Sequence, residues 1–118
     1  MTIAANTVVI LVALLHIYFL VLEMLLWDKP MGLKAFGQTK EQAAATKILA
    51  ANQGLYNGFL AAGLLLGVAQ GDSGTYFKLF FLSCVIVAGV YGAITASRKI
   101  LFIQALPALI GLILVLLS

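Results

Sequence analysis

The chain has 118 residues, of which 64% are hydrophobic and 9% are charged, with a formal net charge of +3. A soluble domain carries about 25% charged residues, so this composition excludes an ordinary soluble domain. The seven basic residues form no basic stripe, which argues against a nucleic-acid partner, and the single cysteine, Cys84, excludes an intrachain disulfide.

Four apolar segments follow one another along the chain, at about residues 3–27, 44–69, 76–96 and 100–117. Each is close to or above the roughly 20 residues that a helix needs to cross a bilayer. No strand-like alternation is present, and a helix bundle is the other structure that can span lipid. We therefore predict an all-α fold, an integral membrane four-helix bundle that forms one transmembrane domain from residue 1 to residue 118.

Basic residues are concentrated beside two of the three connections between these segments. Arg98 and Lys99 form the third connection, and four lysines flank the first, whereas Lys78 alone lies near the second. The four lysines are Lys29, Lys34, Lys40 and Lys47. This imbalance of six to one places the first and third connections in the cytoplasm. The sequence therefore predicts a multi-pass protein of the plasma membrane with both termini outside.

The first connection, residues 28–43, is long for a helical bundle. Met31, Leu33 and Phe36 give it apolar contacts, so we expect it to lie along the membrane interface. The alternative is a loop that docks a soluble partner. At its end, the spacing of Thr39 and Gln42 fits a capping box for the second helix.

Small residues recur four positions apart in the second and third segments, as Gly54 and Gly58 and as Ala88 and Gly92. In lipid this spacing allows helix backbones to approach closely. We predict that these residues pack deep in the bundle or form a homo-oligomer contact. Pro107 is predicted to kink the fourth helix.

Polar residues at membrane depth define the candidate site. His16 and Glu23 are seven residues apart and share a face of the first helix. At 1.5 Å per residue from an inner boundary at Trp27, Glu23 lies about 6 Å deep and His16 roughly 16 Å deep. Gln53 and Asn57 share a face of the second helix at similar depths, so we predict that Glu23 meets Gln53 and that His16 meets Asn57.

Three other polar residues are candidates for the same intramembrane site. Asn52 lies at the depth of Glu23 but on a different face of the second helix from Gln53. Tyr91 of the third segment and Gln104 of the fourth are placed to close the cluster from other helices. Such residues at bilayer depth usually face the bundle interior and mark a site or a pathway.

Metal and haem chemistry have little support in this sequence. His16 and Glu23 supply two ligands, and no dense group of His, Cys and Asp accompanies them. A lone His16 also lacks a second strong axial ligand for haem. We expect neither a metal nor another cofactor.

Three functions fit this pattern. The first is a transporter, or a protein that binds a small apolar or cationic ligand, with Glu23 as the proton-exchanging group. The second is a structural or accessory membrane subunit in which the polar residues fix helix register. The third is a membrane-embedded enzyme on an apolar substrate, with Glu23 or His16 as general acid or base.

Two stretches, HIYFLVLEMLLW and NQGLYNGFLAAGL, carry a family resemblance. With the length and the four apolar segments, they resemble the bacterial family of short membrane proteins catalogued as domain of unknown function 1304. The resemblance covers essentially the whole chain. It implies a four-helix integral membrane protein and assigns no activity to any residue.

Overall fold

The computed structural model describes residues 2–118, which are largely helical. Its five α-helices are α1 (Thr2–Met24), α2 (Pro30–Phe36), α3 (Lys40–Ala69), α4 (Thr75–Thr95) and α5 (Leu106–Leu117). A 3₁₀ turn, Gly71–Gly74, leads into α4, and a π-helical turn, Leu101–Ala105, leads into α5. Residues 2–118 contain no strand, so the predicted all-α class is confirmed.

Two helical segments are long and apolar enough to cross a membrane, namely Thr2–Met24 and Gly71–Thr95. The α3 helix is longer, with 30 residues, but the amides of Asn52, Gln53 and Asn57 lower its hydropathy. The apolar stretch Leu101–Leu117 is shorter than the others. Of the four predicted spans, the first and the third therefore have the length and composition of a membrane-spanning helix.

The α1 helix ends at Met24, before the predicted boundary at residue 27. The backbone N–H groups of Leu25 and Leu26 both donate to the carbonyl of Val21, which closes the helix. Lys29 has extended backbone angles because the residue before a proline is disfavoured in the helical region. Pro30 then begins α2, where its missing N–H is not needed. The predicted first connection therefore contains a short helix.

The α3 helix begins at Lys40, four residues before the predicted start of the second span, because a capping box closes its end. The backbone N–H of Thr39 donates to Gln42 Oε1 at 3.0 Å, and the backbone N–H of Gln42 donates to Thr39 Oγ1 at 3.2 Å. The predicted capping box is confirmed, and it fixes the start of α3, the helix that carries Gln53 and Asn57.

Pro107 lies in the first turn of α5, directly after the π-helical turn. The backbone N–H of Leu106 donates to the carbonyl of Leu101, five residues earlier. Pro107 has no N–H with which to continue the regular α-helical pattern, and a π turn is one way to accommodate the break. The kink predicted at Pro107 stays a prediction.

The chain forms two compact units, and both α1 and α3 contribute residues to each. The larger unit comprises the chain up to Leu14 together with Leu60–Ser118, and the smaller unit is Leu15–Phe59. Buried apolar side chains form the core of the larger unit: Ala5, Val9, Val12, Ala13, Ala61, Leu64, Leu82, Val85, Ala108 and Val115. The smaller unit contains Glu23 and the amides of α3.

We expect Thr39→Ala to lower the free energy of unfolding by about 1 kcal/mol, because an N-cap hydroxyl contributes roughly that amount. The measurement is helix loss in detergent micelles, followed by circular dichroism as a denaturant is added. Thr39→Ser keeps the hydroxyl and serves as the control. Equal unfolding free energies for Thr39→Ala and the unmodified chain would contradict the capping role.

Candidate functional site

The carboxylate of Glu23 is the centre of the candidate site. Glu23 lies in the last turn of α1, and only 2% of its surface is exposed. The amide nitrogen of Gln53 donates to Glu23 Oε2, and the amide nitrogen of Asn57 donates to Glu23 Oε1 at 2.5 Å. Each carboxylate oxygen therefore accepts a hydrogen bond from α3, and the predicted contact between Glu23 and Gln53 is present.

Two glycines bring α3 close enough to α1 for these hydrogen bonds. A Cβ atom built on Gly54 would lie 2.7 Å from Met24 Cγ and 3.0 Å from Glu23 Cβ. A Cβ atom on Gly58 would lie 2.7 Å from Leu20 Cδ1. The four-residue glycine spacing therefore serves a helix contact within the chain, next to the short amide side chains that reach Glu23.

The two amides that reach Glu23 are one helical turn apart, whereas Asn52 points elsewhere. The Asn52 amide nitrogen donates to the carbonyl of Ile48 at 2.9 Å, and the residue is exposed. Asn52 therefore bonds its own helix, as expected for a residue on another face of α3. The structure brings Gln53 and Asn57, and not Asn52, to the Glu23 carboxylate.

His16 is fully buried two turns before Glu23 on α1. Its ring packs edge-on against Phe19, with the ring centroids 5.4 Å apart. The amide nitrogen of Asn57, predicted to meet His16, donates to Glu23. The pairing of His16 with Asn57 stays a prediction.

Tyr91 and Gln104 belong to the larger unit. Tyr91 is 69% exposed on α4, and Gln104 is half-buried in the π-helical turn. Tyr91 borders an open apolar groove of about 480 Å³, lined by Phe80, Ser83, Cys84, Val87, Ala88 and Tyr91. The participation of Tyr91 and Gln104 in the Glu23 cluster stays a prediction.

A second set of contacts lies just beyond the end of α1, on the side of Glu23 away from His16. The indole N–H of Trp27 donates to Thr46 Oγ1 at 3.1 Å, and Lys47 Nζ lies 3.0 Å from Asp28 Oδ2. The hydrogen bond from Lys47 lowers the pKa of the Asp28 carboxyl below its ordinary value. These contacts join the chain just after α1 to the first turns of α3.

The sequence reasoning missed one buried ionisable side chain, Lys78, which it used only for orientation. Lys78 is 5% exposed, and its ammonium donates to Asn6 Oδ1 at 3.0 Å in the larger unit. The side chain packs against Gly67, where an added Cβ atom would lie 2.9 Å from Lys78 Cγ. No local sequence pattern predicts this burial, because Asn6 lies 72 positions from Lys78.

The chemistry available at Glu23 follows from its neutral partners. Amide donors satisfy both carboxylate oxygens but do not cancel the charge of an ionised carboxylate. Glu23 therefore keeps the capacity to take up a proton or to bind a cation. Within residues 2–118, no three His, Cys, Asp or Glu side chains are grouped so as to hold a metal ion.

The fold and the site define an all-α protein with two helices apolar enough for a membrane and a buried carboxylate held by two amides. The chain belongs to the family described as protein of unknown function (DUF1304), whose model matches residues 10–116. The family resemblance drawn from the two sequence stretches is thereby confirmed.

One relative matches over nearly the full length of both chains. The uncharacterized protein YpaA of Lactococcus lactis subsp. lactis (strain IL1403) is 29% identical over 115 residues, which cover 96% of this chain and 97% of YpaA. No solved structure matches the chain at a significant level.

We expect Gly54→Ala to destabilise the protein by about 1–3 kcal/mol, since overpacking a tight contact typically costs that amount. The new methyl would lie 2.7 Å from Met24 Cγ, which can move, but also 3.0 Å from Glu23 Cβ and 3.3 Å from the backbone carbonyl oxygen of Leu20, which do not move freely. Gly58→Ala is the matched control, because its methyl meets the flexible end of the Leu20 side chain. Unfolding in micelles measures both, and an equal or smaller loss for Gly54→Ala would contradict the proposed helix contact.

The Asp28 carboxyl should titrate below its ordinary value in a carboxyl-carbon NMR titration, and Lys47→Gln should raise its pKa. Because the folded-state pKa is the lower one, the stabilisation is present above the unfolded-state pKa. It is lost as the pH falls through the folded-state pKa. Lys40→Gln is the control and should leave the Asp28 titration unchanged. An Asp28 pKa that is insensitive to Lys47→Gln would contradict the assigned cause.

Proposed function

We propose that this chain is a small multi-pass inner-membrane protein that binds and transports a small cationic ligand in exchange for protons at Glu23. The observation that carries the proposal is the environment of the Glu23 carboxylate. Glu23 is 2% exposed, and each of its carboxylate oxygens accepts a hydrogen bond from an uncharged amide. An ionisable side chain at membrane depth is costly, and such residues usually mark a substrate or proton pathway.

A four-span topology is part of the proposal. Two segments have the length and apolarity of spans, and α3, at 30 residues, exceeds the roughly 20 residues required. Large apolar side chains are exposed along these helices, among them Ile48 (79%), Leu49 (72%) and Ile94 (78%). Large exposed apolar patches are unusual on a soluble monomer, and lipid is the solvent that suits them. The lysine distribution supports a cytoplasmic first connection.

The ligand class follows from the charge and the surroundings of the site. The oxygens of Glu23 attract a positive charge, whereas Leu20, Met24 and the glycines of α3 contribute only apolar surface nearby. A cation with an apolar body matches both features. Protonation of Glu23 would release such a cation, so ligand and proton compete for the same carboxylate.

The contacts also support a second function, that of a structural or accessory subunit. Both hydrogen bonds of Glu23 and the packing of Gly54 join the same pair of helices, α1 and α3. A cluster of this kind fixes the register of two helices without any ligand. A homo-oligomer through Gly54, Gly58, Ala88 and Gly92 stays a prediction. An enzyme that uses Glu23 or His16 as general acid or base stays a prediction.

Glu23→Gln should abolish the coupling of cation uptake to a pH gradient, because an amide side chain has no group that changes its protonation state near neutral pH. The assay uses purified protein in liposomes, with tetraphenylphosphonium as the cation and an imposed pH gradient. Glu41→Gln is the matched control, since Glu41 is exposed at the start of α3 and the substitution is the same.

Thermal unfolding of the same variants separates the two functions. Transport predicts that Glu23→Gln loses proton-coupled uptake while still folding, and that Glu41→Gln keeps it. Proton-coupled uptake that is the same in the unmodified chain and in Glu23→Gln would rule out Glu23 as the exchanging group. A loss of thermal stability in Glu23→Gln, with no proton-coupled uptake by the unmodified chain, would favour the structural role.

A further inference from the structure

The connection between α1 and α3 carries more positive charge than the chain itself neutralises. Lys29 and Lys34 lie in this connection, and Lys40 and Lys47 follow in the first turns of α3, where Lys47 is paired with Asp28 at 3.0 Å. Lys29, Lys34 and Lys40 are exposed, and within residues 2–118 none of the three forms an ion pair. Three exposed ammonium groups thus lie within twelve residues, on either side of α2 and within it.

Several contacts hold this connection in one conformation. The ring of Trp27 packs on Phe36 of α2 with the centroids 4.8 Å apart, and its indole N–H donates to Thr46 of α3. Gly32 packs directly on the backbone carbonyl of Leu26, where no Cβ atom would fit. The left-handed Gly37 (φ +61°) ends α2. The lysines are therefore presented on an ordered segment, which lowers the entropy cost of binding.

The same connection exposes apolar side chains next to its lysines. Leu25 is 65% exposed, Met31 56% and Phe36 41%. A short segment with exposed apolar and basic side chains suits the boundary between lipid headgroups and acyl chains. An anionic headgroup complements the three ammonium groups, and a polybasic segment beside a membrane is attracted to anionic lipids.

We propose that this basic connection binds anionic phospholipid headgroups and enriches them around the cytoplasmic end of α1. Lys29, Lys34 and Lys40 contact the phosphates, while Met31 and Phe36 lie against the upper acyl region. The inference rests on the proposed membrane insertion, and it is independent of any transport through Glu23.

Trp27 is the only tryptophan in the chain and packs directly on α2, so its fluorescence reports the lipids at this connection. The protein is reconstituted in equimolar phosphatidylglycerol and phosphatidylcholine, with bromine atoms on the acyl chains of one lipid or the other. We expect brominated phosphatidylglycerol to quench Trp27 about twofold more than brominated phosphatidylcholine, since each lysine near the surface favours anionic lipid. Added salt should reduce the excess.

Three variants test which residues cause the excess. The combined substitution Lys29→Gln, Lys34→Gln and Lys40→Gln should abolish it, and arginine at the same three positions should preserve it. Asp28→Asn with Lys47→Gln removes a neutral ion pair and should also preserve it. An excess that survives the triple glutamine substitution overturns the assignment to these lysines.

The two labelled lipids also separate this inference from the proposed function. Equal quenching by both lipids means that Trp27 lies in the membrane, and it overturns the anionic preference alone. No quenching by either lipid overturns both the lipid site and the membrane insertion on which the proposed function depends.

Discussion

The burial of one carboxylate between α1 and α3 is the constraint on which the smaller unit depends. Glu23 is 2% exposed, so both of its oxygens need donors from the protein. Gln53 and Asn57 supply them, and Gly54 allows the helices to approach closely enough for such short side chains to reach. Gly54 lies between the donors Gln53 and Asn57 in the sequence of α3. This short stretch must therefore supply both the hydrogen-bond donors and the close helix contact.

This arrangement has a cost for α3 in the membrane span that we propose for it. The two amides that bond Glu23 are, with Asn52, among the residues that lower the hydropathy of α3, which lacks the composition of an independent span. Gln53 is exposed and Asn57 is half-buried, so in lipid both amides would need hydrogen-bond partners, and Glu23 provides one for each. We infer that α1 and α3 suit the bilayer better as a pair than separately, with Trp27, Thr46 and the Asp28–Lys47 pair joining them at one end.

Helical periodicity accounts for what could be predicted from the sequence. It placed Gln53 and Asn57 on one face and Asn52 on another, and the local spacing of Thr39 and Gln42 identified the cap of α3. The helix α2 was not predicted, because seven residues are too few to show a helical periodicity. Pro30 is also as typical of a loop as of a helix start. The contact between Lys78 and Asn6 joins residues 72 positions apart, and no local pattern encodes such a pairing.

The neutrality of the donors is the best guide to what the cluster does. A carboxylate whose role is purely structural is commonly paired with a cation, as Asp28 is with Lys47 in the same unit. Two amides hold Glu23 in place whether it is charged or protonated, since each amide group has both a donor and an acceptor. The local structure can then persist through a change of protonation, which a proton-exchanging site requires and a fixed structural ion pair does not provide.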